Sequence, residues 1–193
     1  MRILGIDPGT ANCGFALLEA WDNGTARVLD LGTFRSEKDA LLRARVAEYV
    51  TDLLELVTTS NAGVVVAEAP GFPKGAKAAV MVWSAFTGLT AICAARGIEL
   101  VLRNPGEWRR MLGLPEYKLP PAKTTDARTR ARLANEAKAK RKADTQALMR
   151  VRYPGAPALL ESCPNDALEH AYDALAIVTS WTDRATEGTR RAA

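Results

Sequence analysis

The stretch MRILGIDPGT, residues 1–10, joins an apolar run to a single acid and an abrupt turn. Ile3, Leu4 and Ile6 predict a strand that is buried on both faces, and Pro8 ends this strand directly after Asp7. Asp7 is therefore expected at the end of a central strand of a sheet. A carboxylate is costly to bury there unless a cation meets it, so a metal or catalytic role competes with that of a turn-capping residue.

A second apolar run, VVVAEAP at residues 64–70, repeats this arrangement. Its three valines predict another interior parallel strand, and Glu68 precedes the Pro70 that ends it. Open α/β sheets place their functional sites at the carboxyl ends of their strands. Two such strands, each ending in an acid, favour one shared site for Asp7 and Glu68.

The third candidate acid lies in HAYDALAIV, residues 170–178, within a predicted helix that Asn165 or Asp166 caps. His170 and Asp173 are three residues apart and share a helix face. An Asp within an apolar run is poorly explained as a surface residue, and the alternative is a buried Asp bonded to a hydroxyl or backbone donor. Because His170 is the only histidine, a metal ion would be held mainly by carboxylates, which favours Mg²⁺ or Mn²⁺.

The composition is that of a soluble globular protein, with 48% apolar and 25% charged residues in a chain of 193. This length suits one sizeable core, so we expect a single domain over residues 1–193. An apolar run of roughly eighteen residues and a signal-peptide pattern are both missing, which predicts a cytoplasmic protein without a membrane segment. Three scattered cysteines indicate neither a disulfide framework nor a zinc cluster.

Positive charge is concentrated in one segment. The net charge is +4, but residues 118–152 contain eleven Lys and Arg against three acids, a local +8 that leaves −4 for the remainder. A segment of this kind is an electrostatic footprint for nucleic acid, and a solvent-exposed helix face is the competing explanation. Within it, Lys140, Arg141 and Lys142 are candidates for contacts with phosphates rather than with bases.

The first half of the chain predicts strands followed by helices. Residues 15–34 predict a hairpin that turns at residues 22–24, and a capping box at residues 36–39 predicts the start of an amphipathic helix of about five turns. A helix that is apolar nearly all round follows at residues 75–95. Such a helix must either be central to the fold or pack against another subunit.

The second half predicts a third parallel strand at GIELVL, residues 97–102, and then a short helix with a proline in its first turn. We expect that helix to expose Arg109 and Arg110. Residues 119–133 show little periodicity, which predicts a mobile insertion. Helical periodicity returns at residues 135–151.

Taken together, GIDPGT at residues 5–10, the strand-end Glu68 and HAYDALAIV resemble the RuvC family of Holliday-junction resolvases. The resemblance covers most of the chain, and its order of strands, helices and acids is more specific than any single motif. It implies a ribonuclease H-like α/β fold, with a mixed five-stranded sheet, helices on both faces and a basic insertion at about residues 118–142. It further implies a homodimer that acts on branched DNA, such as a four-way junction, in recombination and repair.

By the same resemblance, the acidic site comprises Asp7, Glu68 and Asp173, with His170 as a fourth ligand or as a general acid or base. Two-metal hydrolysis of a phosphodiester needs several carboxylates around two hard cations that are roughly 3.5 to 4 Å apart. We therefore expect two Mg²⁺ ions, for which Mn²⁺ can substitute, with Asp7 bridging both.

The family also carries an aromatic side chain that contacts the junction after the second acid, and its counterpart here is Phe72. The residues expected to contact DNA are Phe72, Lys74, Lys77, Arg109, Arg110, Lys140, Arg141 and Lys142.

Three alternative functions are consistent with parts of the sequence. The DPGT turn also suits actin-like ATPases, but these use two copies of the fold and this chain is long enough for one. The basic segment and RNPGEWRRMLGL, residues 103–114, resemble the phage branch of the family, which favours a branched-DNA or fork nuclease. The third alternative is a junction-binding protein without catalysis, and the presence of all four site residues argues against it.

Overall fold

The computed structural model describes residues 1–9, 11–37, 39–71, 75–118, 120 and 126–192, with the backbone alone from 185 onward. Within these residues the chain forms five strands and six helices. The strands are β1 (Arg2–Pro8), β2 (Asn12–Ala20), β3 (Ala26–Arg35), β4 (Val64–Glu68) and β5 (Glu99–Arg103). The helices are α1 (Leu42–Ser60), α2 (Ala76–Arg96), α3 (Pro105–Met111), α4 (Ala127–Arg152), α5 (Ala156–Leu159) and α6 (Leu168–Ala192).

The strands form one mixed sheet in the order β3-β2-β1-β4-β5. Strand β2 pairs with β1 in antiparallel orientation, and β3 pairs with β2 in the same way. On the other side of β1, β4 pairs with β1 and β5 pairs with β4, both in parallel orientation. Strand β1 is therefore central, as its apolar run predicts, and Ile3, Leu4 and Ile6 are fully buried. The predicted mixed five-stranded α/β sheet is confirmed.

Helices cover both faces of this sheet. On one face, Ile3, Leu18 and Val66 pack in a cluster with Tyr172 and Leu175 of α6. On the other face, a second cluster joins apolar strand residues to helices α1 and α2; it includes Leu4, Ile6, Val65, Leu53, Val57, Leu89 and Cys93. Alternate residues of β1 thus point into opposite clusters, because successive strand side chains face opposite sides of a sheet.

Helix α6 lies unusually close to β1 and β2, and glycines make this possible. A Cβ added at Gly14 would lie 1.9 Å from the carbonyl oxygen of His170, and one at Gly5 would lie 2.5 Å from that of Ala174. Both distances are shorter than any tolerable contact, and the obstructing atoms are backbone. The two glycines therefore allow α6 to bring its first turns directly over the end of β1.

Two predicted element boundaries are wrong. The capping box at residues 36–39 does not start α1, which begins at Leu42 without a side-chain cap. The Ser36 hydroxyl instead accepts hydrogen bonds from Arg45 Nε at 3.2 Å and Nη2 at 3.1 Å. The Ser36 backbone N–H still donates to Ala11, at 3.2 Å, so this residue continues the extended chain of β3.

The predicted insertion at residues 119–133 is helical from Ala127 onward. Asp126 caps α4 by accepting a hydrogen bond from the Thr129 N–H at 2.9 Å. Alanine and arginine favour helix without providing an apolar stripe, so this exposed first part of α4 escapes a prediction based on periodicity. Residues 119 and 121–125 lie outside the described part of the chain.

Helix α2 is apolar because one side of it belongs to the core. Met81, Ala85, Leu89, Ile92 and Cys93 are buried against α1 and the sheet. Among the helices of the described residues, α2 alone is long and apolar enough to cross a membrane. Its packing against α1 and the sheet instead makes it part of the fold. An outer face remains, where Val80 is 44% exposed and Trp83 is 40% exposed.

Candidate active site

Two acids stand at the ends of adjacent parallel strands. The pairing of β1 with β4 ends at Ile6 and Ala67, so Asp7 and Glu68 are the next residue on each of these two strands. Asp7 is only 9% exposed. The sheet thus places both carboxylates at the same edge, as the two apolar runs predict.

Helix α6 adds the other two predicted residues. The Nδ1 atom of His170 lies 2.6 Å from Oδ2 of Asp7. Asp173, one turn further along α6, lies close enough to Asp7, His170 and Arg109 for their charges to change its pKa. The structure therefore brings Asp7, Glu68, His170 and Asp173 together.

Burial and mutual repulsion disfavour the charged forms of these acids. Burial, reinforced by the charge of Asp7, raises the pKa of Glu68 to about 8 and that of Asp173 to about 7. Arg109 and His170 oppose the shift at Asp173. Burial disfavours protonation of His170, but its hydrogen bond to Asp7 and the nearby carboxylates outweigh this and raise the pKa of the imidazole.

The donor set fits a hard divalent cation. As they stand, no three acidic, cysteine or histidine side chains of the described residues converge closely enough to hold an ion. Asp7 is instead bonded to His170, and Glu68 accepts a hydrogen bond from Trp108. Yet the pKa values of Glu68 and Asp173 stay raised despite the nearby positive groups, so a divalent cation would stabilise the charged carboxylates. Carboxylate oxygens are also the ligands that Mg²⁺ and Mn²⁺ prefer.

Trp108 belongs to the site, although no sequence pattern points to it. Its Nε1–H donates to Oε2 of Glu68 at 3.1 Å, and the residue is only 2% exposed. The two residues are forty positions apart in the chain. A tryptophan among the basic residues of RNPGEWRRMLGL is the only signal that the sequence offers, and it does not name the partner.

A cavity of about 510 Å³ opens beside Glu68 and Asp173. It lies between α3, residues 115–118 and α4. Its basic lining consists of Arg109, Lys118, Lys138, Arg141 and Lys142. The basic segment thus flanks the acids, and two of the lysines that line the cavity, Lys118 and Lys138, are not among the residues that the sequence predicts to contact DNA.

The predicted DNA-contacting arginines of α3 differ in exposure. Arg109 is half-buried, and it donates to the Thr145 hydroxyl at 2.9 Å and to the Arg141 carbonyl oxygen at 3.1 Å. Arg109 therefore connects α3 to α4 through hydrogen bonds. The prediction that α3 exposes Arg109 is wrong. Arg110 is exposed as predicted, with its Nε bonded to the Gly106 carbonyl oxygen at 3.0 Å.

Two of the basic residues at positions 140–142 of α4 contact other side chains of the protein. Lys142 forms an ion pair with Glu169, and the Lys140 ammonium lies 6.0 Å from the centre of the Tyr117 ring. Tyr117 in turn donates to Asp144 at 2.6 Å. Lys77 is exposed in the first turn of α2, whereas Phe72 and Lys74 lie outside the described residues.

A family model described as crossover junction endodeoxyribonuclease RuvC matches residues 3–110, more than half of the chain. The chain belongs to the RuvC family. The matched region includes Asp7 and Glu68 and ends at Arg110, so the positions of His170 and Asp173 rest on the structure.

RuvC sequences from two bacteria illustrate the extent of the similarity. RuvC of Clavibacter sepedonicus is 33% identical over 108 residues, which cover 55% of this chain and 52% of that protein. RuvC of Caldicellulosiruptor saccharolyticus is 26% identical over 105 residues, which cover 54% of this chain and 63% of that protein. The chain therefore spans about half to two thirds of the length of these curated relatives.

Solved structures extend the likeness in fold to nearly the whole chain. T. thermophilus RuvC in complex with a Holliday junction substrate matches with a TM-score of 0.68 at 18% identity, over 98% of both chains. Fowlpox virus resolvase in complex with Holliday junction DNA matches with a TM-score of 0.55 at 14% identity, over 95% of this chain and 98% of that one. The fold predicted from the RuvC resemblance is confirmed.

The raised carboxyl pKa values predict a particular pH dependence of stability in the metal-free protein. Glu68 and Asp173 ionise near their ordinary pKa values of 4.5 and 3.8 when unfolded, but only near 8 and 7 when folded. Between these limits the folded state holds more protons, so the free energy of unfolding should fall as pH rises. The raised pKa of His170 acts in the same direction. Urea denaturation in chelator at pH 5, 6.5 and 8 measures this slope.

The matched variants for this measurement are Asp173→Asn and Asp22→Asn. The first removes a group whose pKa is raised in the folded protein and should flatten the slope. The second lies in the exposed β2–β3 turn and should leave the slope unchanged. Stability that is constant or rises between pH 5 and pH 8 in the wild-type protein would contradict the prediction.

Proposed function

We propose that this RuvC-family chain is a structure-selective DNA endonuclease that resolves four-way junctions by metal-dependent hydrolysis of phosphodiester bonds. The observation that carries the proposal is the proximity of Asp7, Glu68, His170 and Asp173 at one edge of the sheet, beside a cavity with basic lining residues. A cytoplasmic role in DNA recombination and repair accords with this activity and with the family.

In the proposed site, Asp7, Glu68 and Asp173 hold the metal, and His170 is a fourth ligand or a general acid or base. Two Mg²⁺ ions, replaceable by Mn²⁺, would activate water and stabilise the leaving oxygen. The protein's own contribution is to orient the carboxylates, to keep bulk water from Asp7 by burial, and to hold the DNA backbone beside them. The raised pKa values of Glu68 and Asp173, which Arg109 and His170 do not fully offset, support this assignment.

The alternatives differ in what they would cut. A fork nuclease of the phage type would prefer forks to four-way junctions, and a binding protein would cut neither. An actin-like ATPase would bind nucleotide without cutting DNA. Cleavage of four-way junctions, forks and linear duplex, compared in Mg²⁺ and in chelator, therefore separates these functions in one experiment.

Replacing Asp7, Glu68 or Asp173 with its amide should abolish cleavage but preserve junction binding. Each change keeps the size of the side chain and removes a metal ligand, so the loss should exceed the roughly 10–100-fold that outer-shell changes cost. Cleavage rates and gel-shift affinities on the same four-way junction measure the two effects. Asp22→Asn is the control, and near wild-type cleavage by Asp7→Asn or Asp173→Asn would disprove the metal site.

The basic residues on α4 are proposed to hold DNA phosphates. Arg141 and Lys142 line the cavity beside Glu68 and Asp173, together with Lys138. This position places positive charge where the backbone of a cut strand would enter. Lys142 would exchange its ion pair with Glu169 for a phosphate contact.

Neutralising Lys140, Arg141 and Lys142 to glutamine should weaken binding of all branched DNAs alike. The slope of log affinity against log salt should flatten by about two to three charge equivalents, because fewer counterions are released. Arg43→Gln with Arg96→Gln is the control, since both arginines are exposed on helices that cover the opposite face of the sheet. An unchanged slope in the triple variant would identify this run as a solvated helix face.

We also propose that the outer face of α2 joins two copies of the chain in a homodimer. Val80 and Trp83 are large, apolar and exposed, and Phe86 contacts Trp83 edge-to-face with ring centres 5.9 Å apart. A two-fold axis would pair two active sites, as symmetric cutting of two strands requires.

Val80→Glu with Trp83→Glu should therefore convert the dimer to a monomer, because two like charges per copy would be buried in the interface. Light scattering at micromolar concentration measures the mass. Leu159→Glu, at an exposed leucine on α5, is the control. A wild-type monomer that still cuts both strands of a junction symmetrically would exclude this interface.

A further inference from the structure

The hydrogen bond between Trp108 and Glu68 joins a neutral donor to one of the proposed metal ligands. We propose that Trp108 is a positioning residue, which orients the Glu68 carboxylate for the metal ion; this inference rests on the proposed function. This hydrogen bond joins α3 to the end of β4.

The indole is held rigidly from both sides. Trp108 is packed into the same apolar cluster as Val66 and Tyr172. The Arg109 guanidinium carbon lies 5.1 Å from the centre of the Trp108 ring, and Arg109 is itself tied to Thr145 and to the Arg141 backbone. The direction of the Nε1–H is therefore fixed by the core and by α4, and the carboxylate must follow it.

The chemistry of indole suits this task. Its N–H is a donor only and offers a single hydrogen, so the bond engages Oε2 and leaves the lone pairs of Oε1 for a cation. A lysine or arginine at this position would bring a positive charge that competes with the metal. Indole instead selects one orientation of the carboxylate and adds no net charge to the site.

Glu68 is half-buried where β4 ends, and the Trp108 N–H donates to its Oε2 there. A donor placed in this way behaves like the outer-shell partners that orient metal ligands, whose loss typically costs about 10–100-fold in metal affinity or activity.

The test compares Trp108→Phe with Trp21→Phe, since Trp21 lies in the distant β2–β3 turn and is 44% exposed. Titration calorimetry of Mg²⁺ or Mn²⁺ into DNA-free protein should show an affinity about 10-fold weaker in Trp108→Phe and unchanged in Trp21→Phe. On a four-way junction, kcat at fixed Mg²⁺ should fall about 10-fold without a change in KM for DNA, and excess Mg²⁺ should restore part of it.

A second measurement leaves Trp108 in place. The wild-type chain has four tryptophans, so ¹⁵N labelling yields four indole N–H signals. The signal of Trp108, assigned by Trp→Phe substitution at the other three positions, should exchange slowly with solvent and shift on addition of Mg²⁺. The signal of Trp21 should do neither.

Metal affinity within twofold of wild type in Trp108→Phe would overturn the inference, as would a Trp108 signal that ignores Mg²⁺ while calorimetry records binding. If Trp108→Phe does not fold, the signal in the wild-type protein decides. Wild-type protein that binds Mg²⁺ with a Trp108-dependent affinity, yet cuts no branched DNA, would keep this inference and remove the proposed function.

Discussion

The site depends on the direct contact between the backbone of α6 and strands β1 and β2. Where Gly5 and Gly14 face this helix, even a methyl group would collide with the carbonyl oxygens of Ala174 and His170. Those carbonyls belong to the same turns that carry His170 and Asp173. Any side chain on the glycines would therefore lift the two site residues away from Asp7, so the geometry of the site is set by how closely a helix can approach a sheet.

The sequence predicts the parts of the site that depend on local pattern. Asp7 and Glu68 end two apolar strands, and the spacing of His170 and Asp173 places them on one helix face. Contacts between distant segments leave no such trace in the sequence. Trp108 of α3 contacts Glu68 of β4, and Arg109 of α3 contacts Thr145 of α4. Local patterns can also mislead, since Ser36 continues the extended chain instead of capping α1.

Helix α4 shows the limit of periodicity as a guide to structure. Its mean hydropathy is low, and in its 26 residues only Ala137, Thr145 and Met149 are buried. A helix with so little apolar surface must be stabilised by propensity, by its Asp126 cap and by polar contacts with its neighbours. Beyond Met149 and Leu148, which pack in or against the core cluster, its attachment is polar, through Arg109 to Thr145 and the Arg141 backbone and through Lys142 to Glu169.

This polar attachment makes the basic helix and the acidic site one electrostatic unit. Lys142 pairs with Glu169, whose other oxygen lies 3.8 Å from Nε2 of His170, and Nδ1 of the same ring is bonded to Asp7. Positive and negative groups alternate along this series. Lys142 and a protonated His170 therefore reduce the repulsion between the carboxylates of Glu169 and Asp7. Asp173 gains similar relief from Arg109, whereas the hydrogen-bond donor to Glu68 is the uncharged indole of Trp108. Burial and the charge of Asp7 nevertheless raise the pKa values of both Glu68 and Asp173, so both carboxylates would be stabilised by a cation.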